Sequence, residues 1–237
     1  MSQEVNNKVE NRESALENPE VMVEKLSNFE HYIEKNSKKL AMLVGAIVLA
    51  VAGYFGYQWW SGTQNDEAQE QMFSAIYYFE SDSLKKALNG DGNHPGFLSI
   101  AEDYPFTKAG NLAHFYIGAI YLKQGKYQDA VDNLGKFSSG DILIQPRAHC
   151  LMGDAYLEMN DLDKAIEHYK KAALHAPNKY FSPRYLLKAG LVQELQKNYN
   201  DAINTYGTII EKYYDSQEVS EAKKLKARLE QMTEGSN

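Results

Sequence analysis

Six histidines (His31, His94, His114, His149, His168 and His175) and a single cysteine, Cys150, are the residues of this 237-residue chain best suited to nucleophilic or metal chemistry. Their spacing argues against both. No HExxH pair occurs, and no cluster of Cys and His has ligand spacing. One cysteine can form neither an intramolecular disulfide nor a zinc site built on several thiolates. His149 adjoins Cys150, but consecutive helical residues point about 100° apart and do not face each other. Glu102-Asp103 resembles a carboxylate pair, yet before Tyr104-Pro105 it reads as the end of a helix. Neither a GxxxxGK phosphate loop nor a GxSxG nucleophile elbow is present. The residues therefore assign no catalytic, cofactor-binding or metal-binding position, and the chain is expected not to be an enzyme and to use no cofactor or small-molecule substrate.

The elements that carry these residues repeat. A glycine is followed twelve positions later by alanine at Gly118 and Ala130, Gly153 and Ala165, and Gly190 and Ala202. Gly118 and Gly153 are 35 residues apart, Gly153 and Gly190 are 37. This period is that of stacked helical hairpins, in which glycine lets two helices approach and alanine packs where they cross. His114 and His149 occupy equivalent positions in successive units, which predicts a packing role for both. Ala75, Tyr78 and Ala87 keep the twelve-residue step, so Asp66 to Asn89 reads as a degenerate first hairpin. Gly90 to Gly96 then breaks the helix. Val219, Ala222, Leu225 and Leu229, with charges between them, predict a capping helix over Gln217 to Gln231, and Met232 to Asn237 read as a frayed tail.

One uncharged apolar run, Leu40 to Trp60, precedes the repeats. As a helix it is about 31 Å long, close to the thickness of a bilayer's hydrocarbon core. A cleaved signal normally has a short positive leader and small residues at its exit, whereas here 39 residues precede the run and Tyr54, Phe55, Tyr57, Trp59 and Trp60 close it. The pattern predicts a retained single-pass anchor. Lys35, Lys38 and Lys39 precede the run and no Lys or Arg follows until Lys85, which predicts a cytoplasmic N-terminus and an exported C-terminal part. Lys38, Lys39, Tyr57, Trp59 and Trp60 are the expected membrane-interface residues. Residues 1–19 are too polar to fold alone, and Pro19 is expected to open a helix leading into the run.

The net charge of −7 is spread over both sides of the run. Residues 1–39 hold eight Glu against six Lys and Arg. Neither side has a basic surplus for nucleic acid, which is excluded as a partner. The expected organisation is a cytoplasmic tail at 1–39, partly disordered, a transmembrane helix at 40–60, a linker and degenerate hairpin at 61–105, three repeats at 106–214, and a capping helix and tail at 215–237.

The clearest unit reads Gly153-Asp154-Ala155-Tyr156, a turn at Asn160-Asp161, then Ala165, Tyr169, Ala172 and Pro177. It resembles the tetratricopeptide repeat, a pair of antiparallel helices of about 34 residues. His114, His149 and Leu186 stand where that family places Trp, Gln193 replaces the first-helix Tyr in the third unit, and only the second unit ends in Pro. The resemblance implies an all-α fold, one N-terminal transmembrane helix followed by a solenoid of helical hairpins. It also implies a peptide groove lined by the first helix of each unit. Leu112, Phe115, Ala119 and Leu122 line it in the first unit, Arg147, Cys150, Asp154 and Leu157 in the second, and Arg184, Leu187, Leu191 and Glu194 in the third. The subset that grips acidic C-terminal peptides uses Lys and Asn where this chain has Phe115, Cys150 and Leu187, and Ala119, Asp154 and Leu191, so such a clamp is not expected.

Phe29-Glu30-His31-Tyr32-Ile33-Glu34-Lys35-Asn36-Ser37-Lys38-Lys39-Leu40, Gly53-Tyr54-Phe55-Gly56-Tyr57-Gln58-Trp59-Trp60 and the stretch Phe97 to Gly125 are, in this order, similar to the bacterial YfgM-like family of ancillary SecYEG translocon subunits. That resemblance implies a protein-binding scaffold in the inner membrane, its repeats in the periplasm, at the Sec translocon. Its expected partners are translocon subunits, a periplasmic chaperone or exported chains. An envelope-assembly scaffold, for cell wall or outer membrane, is the alternative.

Overall fold

The computed structural model describes residues 19–234. Among these, every regular element is an α-helix: α1 (Pro19–Glu80), α2 (Leu84–Asn89), α3 (Phe97–Asp103), α4 (Lys108–Lys123), α5 (Tyr127–Leu134), α6 (Ile144–Glu158), α7 (Leu162–His175), α8 (Ser182–Leu195), α9 (Tyr199–Lys212) and α10 (Val219–Glu234). The all-α expectation holds. The polar stretch 1–19 lies outside the described residues up to position 18, and so does the end of the chain from 235. The chain divides into two compact units, with the boundary between Trp60 and Ser61.

In the first unit, α1 opens at Pro19, as the sequence predicts. Proline suits this place because its missing N–H and fixed φ cost nothing in a first helical turn. The helix is long and apolar enough to cross a membrane, and its apolar run buries none of its side chains against the protein. Val44, Val48, Val51 and Phe55 are each at least half exposed.

The second unit begins with the C-terminal part of α1, which is amphipathic in a way the apolar run is not. Ala68, Met72 and Ala75 recur at helical spacing and are buried with Phe97, Ile100, Tyr104, Ala113, Ile117 and Ile120. The Phe97 and Tyr116 rings stack at 4.6 Å, and Phe79 meets Tyr116 edge-on at 5.1 Å. Thr107 starts α4: its hydroxyl accepts from Gly110 N at 2.9 Å and donates to Tyr104 O. Glu102 and Asp103 end α3, as expected.

All four hairpin turns close in the same way. The backbone N–H of Ser83, Lys126, Asp161 and Asn198 donates to the carbonyl of Tyr78, Tyr121, Tyr156 and Gln193, at 2.8 to 2.9 Å. Each turn has one residue in the left-handed region, Asp82, Gly125, Asn160 or Lys197, with φ between 55° and 73°. This is the Schellman closure of a helix end. The left-handed residue lies seven positions after Ala75, Gly118, Gly153 or Gly190, so 66–89 makes the same hairpin turn as the three glycine-marked units. Only the turn at 125 uses glycine, and the other three hold a non-glycine residue in a conformation favourable to glycine.

At the crossings, Ala87, Ala130, Ala165 and Ala202 are all fully buried. At the far end, α10 buries Val219, Ala222, Leu225 and Leu229 against Tyr206 and Ile209 of α9, the capping role its pattern predicts. The helix continues through Glu234, and Thr233 Oγ1 is bonded to the carbonyls of Leu229 and Glu230. Met232, Thr233 and Glu234 are therefore helical, contrary to the expected frayed tail, because the buried stripe ending at Leu229 carries the last turn with it.

Candidate peptide groove

The first helices of the three glycine-marked units, α4, α6 and α8, carry all twelve residues expected to line a groove. Three of those, Phe115, Ala119 and Cys150, are buried. Phe115 packs with Leu134, Phe137, Ala148 and Met152, and Cys150 with Ala165, Tyr169, Ala189 and Val192. Their side chains are spent between hairpins. Leu112, Leu122, Leu157 and Leu187 are half-buried at the rims of these clusters. Arg147, Arg184 and Leu191 are exposed, Leu191 at 46%. Burial pushes the Cys150 thiol up to about 11, which keeps it protonated and unreactive near neutrality.

The two groove acids are also committed. Asp154 accepts from Tyr169 Oη of its own hairpin and from Lys188 Nζ of the next, both at 2.6 Å. Glu194 accepts from Tyr206 Oη at 2.6 Å and pairs with Arg228 of α10. In each case the base lies 34 residues beyond the acid, and the tyrosine lies sixteen beyond the unit's glycine. The acid itself moves by one helical turn: Asp154 follows its glycine by one residue and Glu194 by four, with Leu157 and Leu191 in the exchanged places. Arg184 Nε likewise donates to Glu218 at 2.9 Å. Consecutive units are thus joined by partly shielded ion pairs, and the acids of two of them, Asp154 and Glu194, also accept from a tyrosine hydroxyl. Burial and the acid at each tyrosine raise the Tyr169 and Tyr206 pKa values.

Tyr169, Lys188, Tyr206 and Arg228 escaped the reading of groove residues. Their signal was present, a base one repeat length after an acid, but it shows only once the acid's position is allowed to slide by a turn. These residues bind one hairpin to the next.

Among the histidines, His149 and His168 face each other across α6 and α7, with ring centroids 5.7 Å apart and Tyr156 5.2 Å from His168. The Nδ1 atoms of both are buried without a hydrogen-bond partner. Burial, reinforced by the neighbouring His168, Lys171 and His175, lowers His149 to about 4. His114 is half-buried, with its Nδ1 3.4 Å from Asn133 Oδ1. Among the described residues, no three His, Cys, Asp or Glu are placed to hold a metal ion. The expected interface residues Lys38, Lys39, Tyr57, Trp59 and Trp60 all lie on α1 with exposed side chains.

Stacked hairpins with glycine and alanine at their crossings are the arrangement of tetratricopeptide repeats. Two models of the tetratricopeptide repeat match the chain, one at residues 146–179 and the other at 112–139 and 184–216. The chain is similar to a protein of Neisseria gonorrhoeae (strain ATCC 700825 / FA 1090) named Ancillary SecYEG translocon subunit. The two are 24% identical over 192 residues, 80% of this chain and 87% of that one. The resemblance to the YfgM-like proteins drawn from the sequence therefore holds.

Proposed function

We propose that the chain is a non-catalytic scaffold of the bacterial inner membrane that binds proteins at the Sec translocon. Leu40 to Trp60 crosses the membrane with the N-terminus in the cytoplasm, and the hairpins 61–234 stand in the periplasm. There the exposed side chains of α4, α6 and α8 hold a periplasmic chaperone or an emerging chain. The observation that carries this reading is the similarity along 80% of this chain to 87% of a relative named for the translocon.

The physical logic is local concentration. Tethering a weak surface beside the channel lets it meet its clients without high affinity. With Phe115, Ala119 and Cys150 packed away and Asp154 and Glu194 already paired, the surface left for a client is Leu112, Leu122, Leu157, Leu187 and Leu191 with Arg147, an apolar strip bearing a cation. It suits an extended segment with apolar side chains.

Photocrosslinkers placed at Tyr57 and Leu191 in intact cells test this. The expected result is capture of translocon subunits from position 57, and of a chaperone or exported chains from position 191. Recovery of neither from either position overturns the proposal.

A further inference from the structure

The two edges of the hairpin array differ in chemistry. On one edge lie the turns within hairpins, Ser81-Asp82-Ser83, Gln124-Gly125-Lys126, Asn160-Asp161 and Gln196-Lys197-Asn198, all polar. Leu195, the last residue of α8, and Tyr77, whose carbonyl accepts from Ser81 N, are the exposed apolar exceptions beside them. On the other edge lie the connections between hairpins, and each carries a large exposed apolar side chain. Phe106 is 70% exposed, Ile142 61%, Tyr180 67% and Tyr214 76%, with Leu143 and Phe181 beside them. These positions recur every 34 to 38 residues, the length of one hairpin. Two side-chain ties run along this edge: Asn111, in the first turn of α4, donates through Nδ2 to Ser138 O and accepts at Oδ1 from Ser138 N, and Lys179 of one connection pairs with Asp215 of the next. The residues form one series along one edge, where chance exposure would scatter them.

The chain enters this unit on the apolar edge. Ser61 Oγ donates to Phe106 O at 3.4 Å, and Asn65 Oδ1 accepts from Ala109 N at 3.1 Å. The other end of the same helical stretch reaches the polar edge, where Lys123 Nζ pairs with Asp82 at 2.9 Å. Trp60, which ends the apolar run, is the residue before Ser61. The apolar run is therefore joined to this unit, by the covalent chain, at the residue that meets Phe106.

We propose that this edge, from Phe106 through Ile142 and Tyr180 to Tyr214, rests in the headgroup region of the membrane that Leu40 to Trp60 crosses. The proposal relies on the anchored reading above and extends it to a second, peripheral contact. Aromatic and aliphatic tips on short loops suit that region, because a ring can bury its face while its polar edge stays wet. Each insertion is weak, and the tether makes the series effective. Charge does not select the lipid: Lys108 and Lys136 are offset by Glu102 and Asp103, and Lys179 and Arg184 already hold Asp215 and Glu218. Contact should therefore depend little on anionic lipid.

The test uses the full chain in nanodiscs loaded with one copy each, with an environment-sensitive fluorophore on Ile142→Cys, Tyr214→Cys, Gln124→Cys, Ser81→Cys or Tyr57→Cys. The native Cys150 is buried and stays unlabelled. Lipid-borne quenchers are then added at two headgroup compositions, zwitterionic and one-third anionic by design. The expected result is quenching at 142 and 214 approaching that at 57, none at 124 or 81, and no difference between compositions. Quenching at 57 with none at 142 and 214 overturns the edge proposal while leaving the anchor intact. Absence of quenching at 57 overturns the anchored reading itself. A blue shift at 142 that needs two copies per disc, without quenching, assigns the edge to self-association and also overturns the proposal. In the background of Phe106→Ser with Ile142→Ser, quenching at 214 should weaken, since the edge then holds the interface at fewer points.

Discussion

At the scale of single residues, the repeat glycines are set by what lies across from them. A Cβ on Gly153 would stand 2.7 Å from the Tyr169 ring, and one on Gly190 2.4 Å from the Tyr206 ring. On Gly118 it would meet Leu134 at 2.5 Å. The tyrosines cannot swing aside cheaply, because their hydroxyls are held by Asp154 and Glu194. In an exposed helix Gly→Ala stabilises by roughly 0.5–1 kcal/mol. Here overpacking of about 1–3 kcal/mol wins. Gly153→Ala and Gly190→Ala are therefore expected to lower Tm by several degrees, whereas Gly140→Ala, with nothing within 4 Å, leaves it unchanged or slightly raised. Thermal unfolding followed by circular dichroism checks the sign. An unchanged Tm in Gly190→Ala would show that the tyrosine is free to move.

At the scale of elements, the packing of α6 on α7 should respond to acid. His149 is held at about 4 by burial and by nearby positive or protonatable groups, against 6.5 when exposed, and His168 is lowered as well. Below pH 6.5 the unfolded chain binds protons that the folded pair refuses, so stability falls as pH drops from 6.5 and levels off only near 4. Above 6.5 both states are neutral there and the pair contributes no pH dependence. The groups that face it are Gln145 and Tyr156 from α6, and Lys164, Glu167, Lys171 and His175 from α7, of which Glu167 alone favours the charged form. His149→Phe should flatten the decline of Tm between pH 6.5 and 4 relative to the parent chain. A parallel decline in both would place the acid sensitivity elsewhere.

At the scale of the whole molecule, an array in which each hairpin touches its neighbours has a stability close to a sum over neighbouring pairs. Its ends are therefore its weak points. Helix α10 caps the last hairpin with Val219, Leu225 and Leu229 and holds Glu194 through Arg228, each apolar side chain worth roughly 1.5–3 kcal/mol when buried. Deleting the chain from Val219 should raise hydrogen exchange in α9 first and most, with α4 hardly affected. Uniform loss of protection would show a single cooperative unit instead.

Much of this was legible in the residues themselves. The apolar run declares its length and lack of charge without any neighbour, because a helix that meets lipid is defined by its own side chains. The hairpin period, the twelve-residue step from a small residue to alanine, the break at Gly90 to Gly96 and the capping stripe of α10 were equally readable, since close helix crossings demand small side chains at fixed spacing. Which first-helix residues remain for a ligand was not. Ala119 has the same helical phase as Leu191, and only the packing of the next hairpin buries the first and leaves the second in water. The pairing of Asp154 with Lys188 and of Glu194 with Arg228, and the apolar edge through Phe106, Ile142, Tyr180 and Tyr214, were hidden for the same reason. Periodicity along one chain determines which face of a helix is apolar, whereas the order in which hairpins stack determines which of those faces another hairpin covers.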